Sequence, residues 1–276
     1  MQIKANAKIN ITLDVRGKRS DGYHNLESIF VPIPLYDNIE IYKDKFLTLT
    51  TNDENLPTDS RNLAFKAACR FFEHTEIIGG AKIHINKHIP IGAGLGGGSS
   101  DAAHVLLALN KLYKTSLSDA ELTKIATTLG ADVPFYVLNK TALATGIGEK
   151  LEPLPPMPRC TVCLILPDFS VSTKKAFSML DLRDKEIIRP SNVRAIAALK
   201  EQNLEELCRA MGNVLETSVR KMYPRIEYMK SAMLEAGAMK AMMTGSGSCV
   251  FGIFPPNIIP KVTHPNARIV HFKALL

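Results

Sequence analysis

The sequence predicts a soluble globular protein that mixes strands and helices and divides at one linker. Three observations carry this. Apolar residues alternate in some segments and recur at helical spacing in others. A glycine-rich loop separates a strand-like segment from a strongly periodic helix. The stretch from Pro153 to Pro158 holds four prolines in six residues and reads as the linker. A length of 276 residues suits one large domain or two ordinary ones, at about 100–200 residues each. The expected parts are residues 1–152 and 159–276.

The first part opens with a strand over residues 2–15, where Ile9, Ile11, Leu13 and Val15 alternate. A charged turn follows, ending in Asp21 and Gly22. Residues 26–33 and 38–42 read as two further strands, and residues 46–51 as another. Residues 62–73 are helical, with Leu63, Ala67 and Phe71 on one face. Residues 81–85 alternate again and lead into the glycine loop. Ser99 or Ser100 is expected to cap the next helix, whose apolar face is Ala102, Val105 or Leu106, Leu109 and Leu112. Ser118 and Glu121 have capping-box spacing ahead of a helix that Gly130 should end. After the linker come a strand over residues 161–166 and a helix-rich stretch from Ser191 to Ala236. Strand, tight turn and strand then follow between Met239 and Phe254.

Composition narrows the class. Hydrophobic residues make up 46% and charged residues 22%. No apolar run approaches the ~18 residues that span a bilayer. The first residues have neither a signal-peptide core nor transit-peptide character, so a cytoplasmic protein is expected, with no membrane partner. Five scattered cysteines do not form a disulfide framework. Cys160 and Cys163 have metal-site spacing, but they sit in an apolar strand-like run without a second pair. The net charge of +7 is dispersed, and there is no tryptophan. Both facts weigh against nucleic-acid binding and leave a polyphosphate substrate open.

The loop Pro90, Ile91, Gly92, Ala93, Gly94, Leu95, Gly96, Gly97, Gly98, Ser99, Ser100 is the strongest signal. Glycine fills five of the seven positions from 92 to 98. Glycine permits tight turns and close backbone approach, and a helix N-terminus attracts anions. The pattern therefore suits phosphate. It is not a P-loop, because the Gly-Lys-Ser/Thr ending is missing. A dinucleotide fingerprint also fails, because Asp119 and Glu121 open a helix rather than follow a strand.

Three other stretches are weaker. Lys8 and Asn10 share one strand face, yet such a lysine most often faces solvent on an edge strand. Asp132 precedes Pro134 at helix-start spacing, and spacing alone favours a cap. Thr244 to Gly247 suits a strand connector or a second phosphate turn. His84 and His88 lie four apart outside any helix, so zinc is not expected.

Taken together, these stretches resemble the GHMP kinases (galactose, homoserine, mevalonate and phosphomevalonate kinases). The loop from Pro90 to Ser100 looks like that family's phosphate loop, and Thr244 to Gly247 like its C-terminal glycine motif. Within the family, Ala7 to Asn10, Asp21 to His24, Gly130 to Phe135 and Gly146 to Glu149 are similar to a branch acting on a cytidine diphosphate-linked polyol. The resemblance runs in order from residue 5 to about residue 254.

It implies an α+β fold in two lobes, an N-terminal nucleotide-binding α/β lobe and a C-terminal ferredoxin-like lobe, with the ligands in the cleft. The implied reaction moves the γ-phosphate of ATP to the C2 hydroxyl of diphosphocytidyl-methylerythritol, in the non-mevalonate route to isoprenoid precursors. Asp132 would be the base and Lys8 would hold the hydroxyl beside it. The loop from Pro90 to Ser100 would wrap the ATP phosphates. Asn62 and Lys87 would contact adenine or ribose. Tyr23 and Phe177 would stack on cytosine, His24 would hydrogen-bond it, and Asn10 would reach the methylerythritol hydroxyls. Mg²⁺ would accompany ATP, touched by Ser99 or Ser100, with no carboxylate ligand evident. The rival readings are a homoserine or mevalonate kinase and a non-catalytic ligand-binding member of the fold.

Overall fold

The computed structural model describes residues 1–273. The chain begins β1 (Gln2–Lys18), β2 (His24–Asp44), β3 (Thr48–Thr51), α1 (Leu63–Thr75), β4 (Gly80–Asn86) and α2 (Gly97–Tyr113). It continues α3 (Asp119–Thr127), α4 (Val133–Leu138), β5 (Ala142–Gly146), β6 (Lys150–Pro153), β7 (Thr161–Pro167) and α5 (Thr173–Ser178). It ends α6 (Asn192–Lys200), α7 (Leu204–Ala210), β8 (Gly212–Asn213), α8 (Val214–Met222), α9 (Arg225–Glu235), β9 (Lys240–Met243), β10 (Val250–Phe254) and β11 (Ala267–Lys273).

These elements form two compact units. One holds residues 1–7, 35–90 and 96–140; the other holds residues 8–34, 91–95 and 141 onward. The division differs from a break at the proline stretch, because residues 8–34 and 141–152 group with the C-terminal part. Strand length is the reason. β1 has 17 residues and β2 has 21, against an ordinary strand of about 5–6. Each supplies residues to both units.

In the first unit the strand order is β3-β4-β2-β1. β2 runs antiparallel to β4, from Asn38 opposite Asn86 to Asp44 opposite Gly80, and β3 runs parallel to β4. The Met1 ammonium donates to the Ile41 carbonyl at 2.8 Å, tying down the start of β1. α1 packs on α2, and α2 on α4. Ile39, Ile41, Ile83, Ala67, Phe71, Val105 and Leu109 are all fully buried.

The second unit has the order β6-β5-β2-β1-β8 and a separate antiparallel sheet, β11-β7-β10-β9. Its core includes Leu13, Cys163, Ile165, Val214, Met229 and Phe254. The strand reading of Cys160 to Leu166 holds: β7 is an interior strand and all five cysteines are free. Burial pushes the Cys160 thiol up to about 12 and Cys163 to about 11, so neither is a thiolate at neutral pH.

Three expected features change. The two strands at residues 26–33 and 38–42 are one strand, β2. Its partner switches along its length, with Leu26 to Phe30 paired to β5 and Asn38 to Asp44 paired to β4. Pro32 and Pro34 lie in the gap between those ladders, where a missing N–H breaks no pairing with either partner. Neither Ser99 nor Ser100 caps α2. Gly96 does, in the left-handed conformation with φ of 71°, so the helix begins two residues before Ser99. α3 stops at Thr127, with Thr128 as its cap, ahead of Gly130. Its capping box at Ser118 and Glu121 is complete.

Candidate active site

In the second unit, β1 turns Lys8, Asn10, Thr12 and Asp14 to one face by strand alternation. All are buried, Lys8 at 4% exposure and Asn10 at 1%. The solvent-facing edge position is therefore excluded: β1 lies between β2 and β8. The Lys8 ammonium donates to Asn10 Oδ1 at 2.7 Å and sits 4.5 Å from the centre of the Phe30 ring. A buried ammonium is tolerated only with such compensation. Asn10 is held in turn. Its Nδ2 donates to Ser28 Oγ at 2.9 Å, and its backbone N–H donates to Thr244 Oγ1 at 3.0 Å. Thr244 Oγ1 donates back toward Asn10 Oδ1 at 3.3 Å.

The same unit contains residues 91–95 of the glycine loop, and three backbone bonds anchor them. Leu95 O accepts from Lys8 N at 3.0 Å, Ala93 O from Cys249 N at 3.2 Å, and Gly92 O from Val171 N at 3.3 Å. Gly92 and Gly94 have φ of 67° and 77°. A side chain at Gly94 would strike the Thr244 carbonyl, and one at Gly245 would come within 2.9 Å of the Gly94 carbonyl. The two glycine motifs thus pack backbone against backbone. Ala93 and Leu95 point into the core, so only their main chain could face a ligand.

The first unit contains Pro90 and residues 96–100. α2 has no side-chain cap. Its first backbone N–H groups, those of Gly97, Gly98 and Ser99, belong to the set a helix leaves without internal partners. Ser100 is committed elsewhere: its hydroxyl donates to Asn6 O at 2.6 Å. Ser99 is half-buried. Beside this helix start, Lys87 Nζ is ion-paired to Asp37 and lies 2.7 Å from Asp101 Oδ2. Burial opposes the Lys87 charge, but attraction to Asp101 and Asp37 outweighs it and raises the ammonium. Burial pushes the Asp101 carboxyl up to about 7, with Asp37 adding to the effect and Lys87 opposing it. Asn62 caps α1: its Oδ1 accepts from Ala64 N at 2.9 Å and its Nδ2 donates to Pro57 O at 2.9 Å.

Asp132 occupies the N-cap position of α4 but forms no side-chain capping hydrogen bond. The capping role that spacing favoured is therefore not performed. One turn on, Tyr136 is fully buried. Burial raises its phenol well above the usual range, and the charges of Asp132, Asp101 and Asp37 add to this. Asp132 belongs to the first unit and Lys8 to the second.

Beyond the other end of β1 a turn carries Tyr23, and His24 opens β2. The Tyr23 backbone N–H donates to Asp21 Oδ1 at 3.0 Å, Gly22 takes φ of 88°, and the Tyr23 ring is 61% exposed. The His24 ring stacks on Phe177 of α5, with centroids 5.1 Å apart and planes at 29°. Burial and the neighbouring Lys18 charge lower the His24 imidazole.

Residues 62–140 match the GHMP kinases N terminal domain, and residues 195–264 match the GHMP kinases C terminal domain. A 4-diphosphocytidyl-2-C-methyl-D-erythritol kinase of Clostridium botulinum is 42% identical over 269 residues, covering 97% of this chain and 96% of its own. One from Alkaliphilus oremlandii is 48% identical over 255 residues, covering 91% and 87%. The chain belongs to the 4-diphosphocytidyl-2-C-methyl-D-erythritol kinases of the GHMP family. A crystal structure of a 4-(cytidine 5'-diphospho)-2C-methyl-D-erythritol kinase superposes with a TM-score of 0.78 at 35% identity, covering 92% of this chain and 90% of that one. A homoserine kinase from Cytophaga hutchinsonii shares the fold, with a TM-score of 0.74 at 20% identity, covering 100% of this chain and 95% of its own.

In this GHMP kinase the structure joins some expected residues and adds others. Lys8 and Asn10 meet directly, and His24 meets Phe177. Sequence reasoning missed Ser28 and the Thr244 hydroxyl, which orient Asn10, and Asp37 and Asp101, which hold Lys87. Asp101 lies next to the glycine loop and could have been noticed there; nothing in the local sequence marks Asp37. No group of three or more His, Cys, Asp or Glu side chains among the described residues could hold a metal. No helix among the described residues is long and apolar enough to cross a membrane.

Proposed function

We propose that this kinase transfers the γ-phosphate of ATP to the C2 hydroxyl of 4-diphosphocytidyl-2-C-methyl-D-erythritol. The products are the 2-phosphate and ADP, in the non-mevalonate route to isoprenoid precursors. The observation that carries the chemistry is the buried Lys8 ammonium, aimed by Asn10 at 2.7 Å. An ammonium fixed in this way is worth more to a developing negative charge than a mobile surface lysine, because no reorganisation is needed when the charge forms.

Phosphoryl transfer asks a protein mainly for positioning and charge stabilisation. Asp132, uncommitted to capping its helix, takes the proton of the acceptor hydroxyl. Lys8 donates to the acceptor oxygen and offsets its charge. The N–H groups at the start of α2, with the main chain of residues 91–95, bind the ATP phosphates. Ser99 would be the serine available to a Mg²⁺ accompanying ATP, which would offset the phosphate charge, since Ser100 is bonded to Asn6. Asn62 and Lys87 lie on the nucleoside side. Because their polar groups are engaged within the protein, they would line that side rather than reach for the base. His24, kept neutral by burial and Lys18, can both donate to and accept from a cytosine edge. Phe177 and Tyr23 supply the aromatic faces, and Asn10 completes the polyol side.

An ADP-release assay over a panel of alcohols tests this reading. Turnover of 4-diphosphocytidyl-2-C-methyl-D-erythritol, with none of homoserine or mevalonate, is the expected result. Turnover of another alcohol in its place overturns the acceptor. No ADP release with any alcohol overturns the kinase reading in favour of a ligand-binding protein.

A further inference from the structure

Three charged side chains beside the start of α2 take no direct part in the chemistry above. Asp37, Lys87 and Asp101 have side-chain exposures of only 0%, 6% and 6%. Buried ion pairs are costly to assemble, and well-packed apolar residues often stabilise a fold as well or better. Stability alone therefore does not account for them, and their geometry suggests a specific task.

Asp37 grips the chain just ahead of the glycine loop. Its Oδ1 accepts from His88 N at 2.6 Å and from Ile89 N at 2.9 Å. Its Oδ2 accepts from the Lys87 ammonium, which also donates to Asp101 Oδ2 at 2.7 Å. Asp101 lies in the first turns of α2. One ammonium thus ties the segment entering the loop to the helix leaving it. The tie passes close to the first helical residue: a methyl group at Gly97 would lie 3.3 Å from Lys87 Nζ and 2.9 Å from Ile89 Cγ2.

We propose that Lys87, held between Asp37 and Asp101, is a positioning residue for ATP, fixing the α2 N-terminus so that the N–H groups of Gly97, Gly98 and Ser99 meet the nucleotide phosphates. This rests on the reading of that helix start as the ATP phosphate site. The role replaces a direct contact between the Lys87 ammonium and the nucleoside, because both carboxylates already claim that ammonium. The remaining oxygen, Asp101 Oδ1, is buried without a hydrogen-bond partner. Asp101 is therefore the more weakly held carboxylate, in keeping with its upward shift beside a well-bonded Asp37.

The test measures ATP binding by calorimetry without acceptor, steady-state KM for each substrate, and Tm, for the wild-type enzyme and for Lys87→Met, Asp101→Ala and Asp101→Asn. A small misplacement of binding groups costs up to about a hundredfold. Lys87→Met and Asp101→Ala should weaken ATP binding and raise KM for ATP by about tenfold to a hundredfold. KM for the cytidylyl substrate should change less than about threefold. Asp101→Asn, which keeps an oxygen for Lys87, should restore most of the ATP affinity lost in Asp101→Ala. Equal increases in both KM values overturn the proposal, as does a lower Tm with unchanged ATP binding. If Lys87→Met does not fold, the two Asp101 variants decide alone. Wild-type protein that binds ATP but phosphorylates no polyol loses its acceptor assignment while the clamp is still decided by the binding arm. Wild-type protein that does not bind ATP overturns both.

Discussion

Lys8 and Asn10 sit two residues apart on β1, and the ammonium of one donates to the amide oxygen of the other at 2.7 Å inside the protein. Asn10 cannot swing away, because Ser28 and Thr244 hold its other polar atoms. Lys8 is therefore aimed by its neighbour. Lys8→Met should lower kcat about 10²–10³-fold, the usual cost of losing a donor to developing charge. Asn10→Ala should leave the ammonium present but poorly aimed and lower kcat about tenfold, in line with the loss of a hydrogen bond to a charged group. Single-turnover kinetics with saturating substrates measures both. Unchanged single-turnover rates would remove Lys8 from the chemistry.

Asp132 is the proposed base, and it stands at a helix start without serving as its cap. Asp132→Asn, which keeps the size and shape of the side chain, should fold, bind both substrates, and lose turnover by about 10²–10⁴-fold, the range for general-base catalysis. A variant that instead loses its cooperative melting transition would point to a structural role.

The His24 ring stacks on Phe177, and the proposed cytosine site lies at these rings. Phe177→Ala and Tyr23→Ala should each raise KM for the cytidylyl substrate while KM for ATP holds. The size should reflect stacking of ~1–3 kcal/mol per base. Comparable increases for both substrates would argue against base stacking at these rings.

Gly94 takes φ of 77° against the Thr244 carbonyl. Gly94→Ala meets two penalties, a left-handed backbone costing about 1–2 kcal/mol and a collision with backbone that cannot rotate aside. Urea unfolding should show a loss of at least about 1 kcal/mol. Gly22→Ala has only the conformational penalty, since nothing lies near its side-chain position. It should be the milder of the two.

Asp101 gives a pH signature. Burial, with Asp37 adding and Lys87 opposing, raises its folded value from 3.8 to about 7. Tyr136 is the other titratable group that feels its charge. A carboxyl raised by folding contributes stability that is complete below its unfolded value and lost as pH rises through its folded value. Between pH 4 and about 7, wild-type Tm should therefore fall relative to Asp101→Asn. A Tm difference between the two proteins that stays constant over that range would show that Asp101 does not titrate there.

Much of the candidate site is legible along the chain because its signals are local. Five glycines ahead of a periodic helix announce a close backbone approach, and alternation places Lys8 and Asn10 on one strand face. The capping box at Ser118 and Glu121 is equally local, since both of its bonds join residues three apart. The helix start at Gly97 was harder to read: a serine is the commoner cap, and only the left-handed turn at Gly96 shows that glycine took the position.

By itself, then, the sequence determined the glycine loop, most of the strands and helices, and the family to which the chain belongs. Tertiary structure decided what each polar residue does. Lys8 could have been an edge-strand lysine, and it is buried, with its backbone N–H on Leu95 O of the glycine loop and its ammonium against Asn10 and the Phe30 ring. Lys87 had the composition of a ligand contact, and it is committed because Asp37, fifty positions away, reaches it. Side-chain roles of this kind are set by partners brought together only by long-range packing, and no local pattern encodes the distance between them.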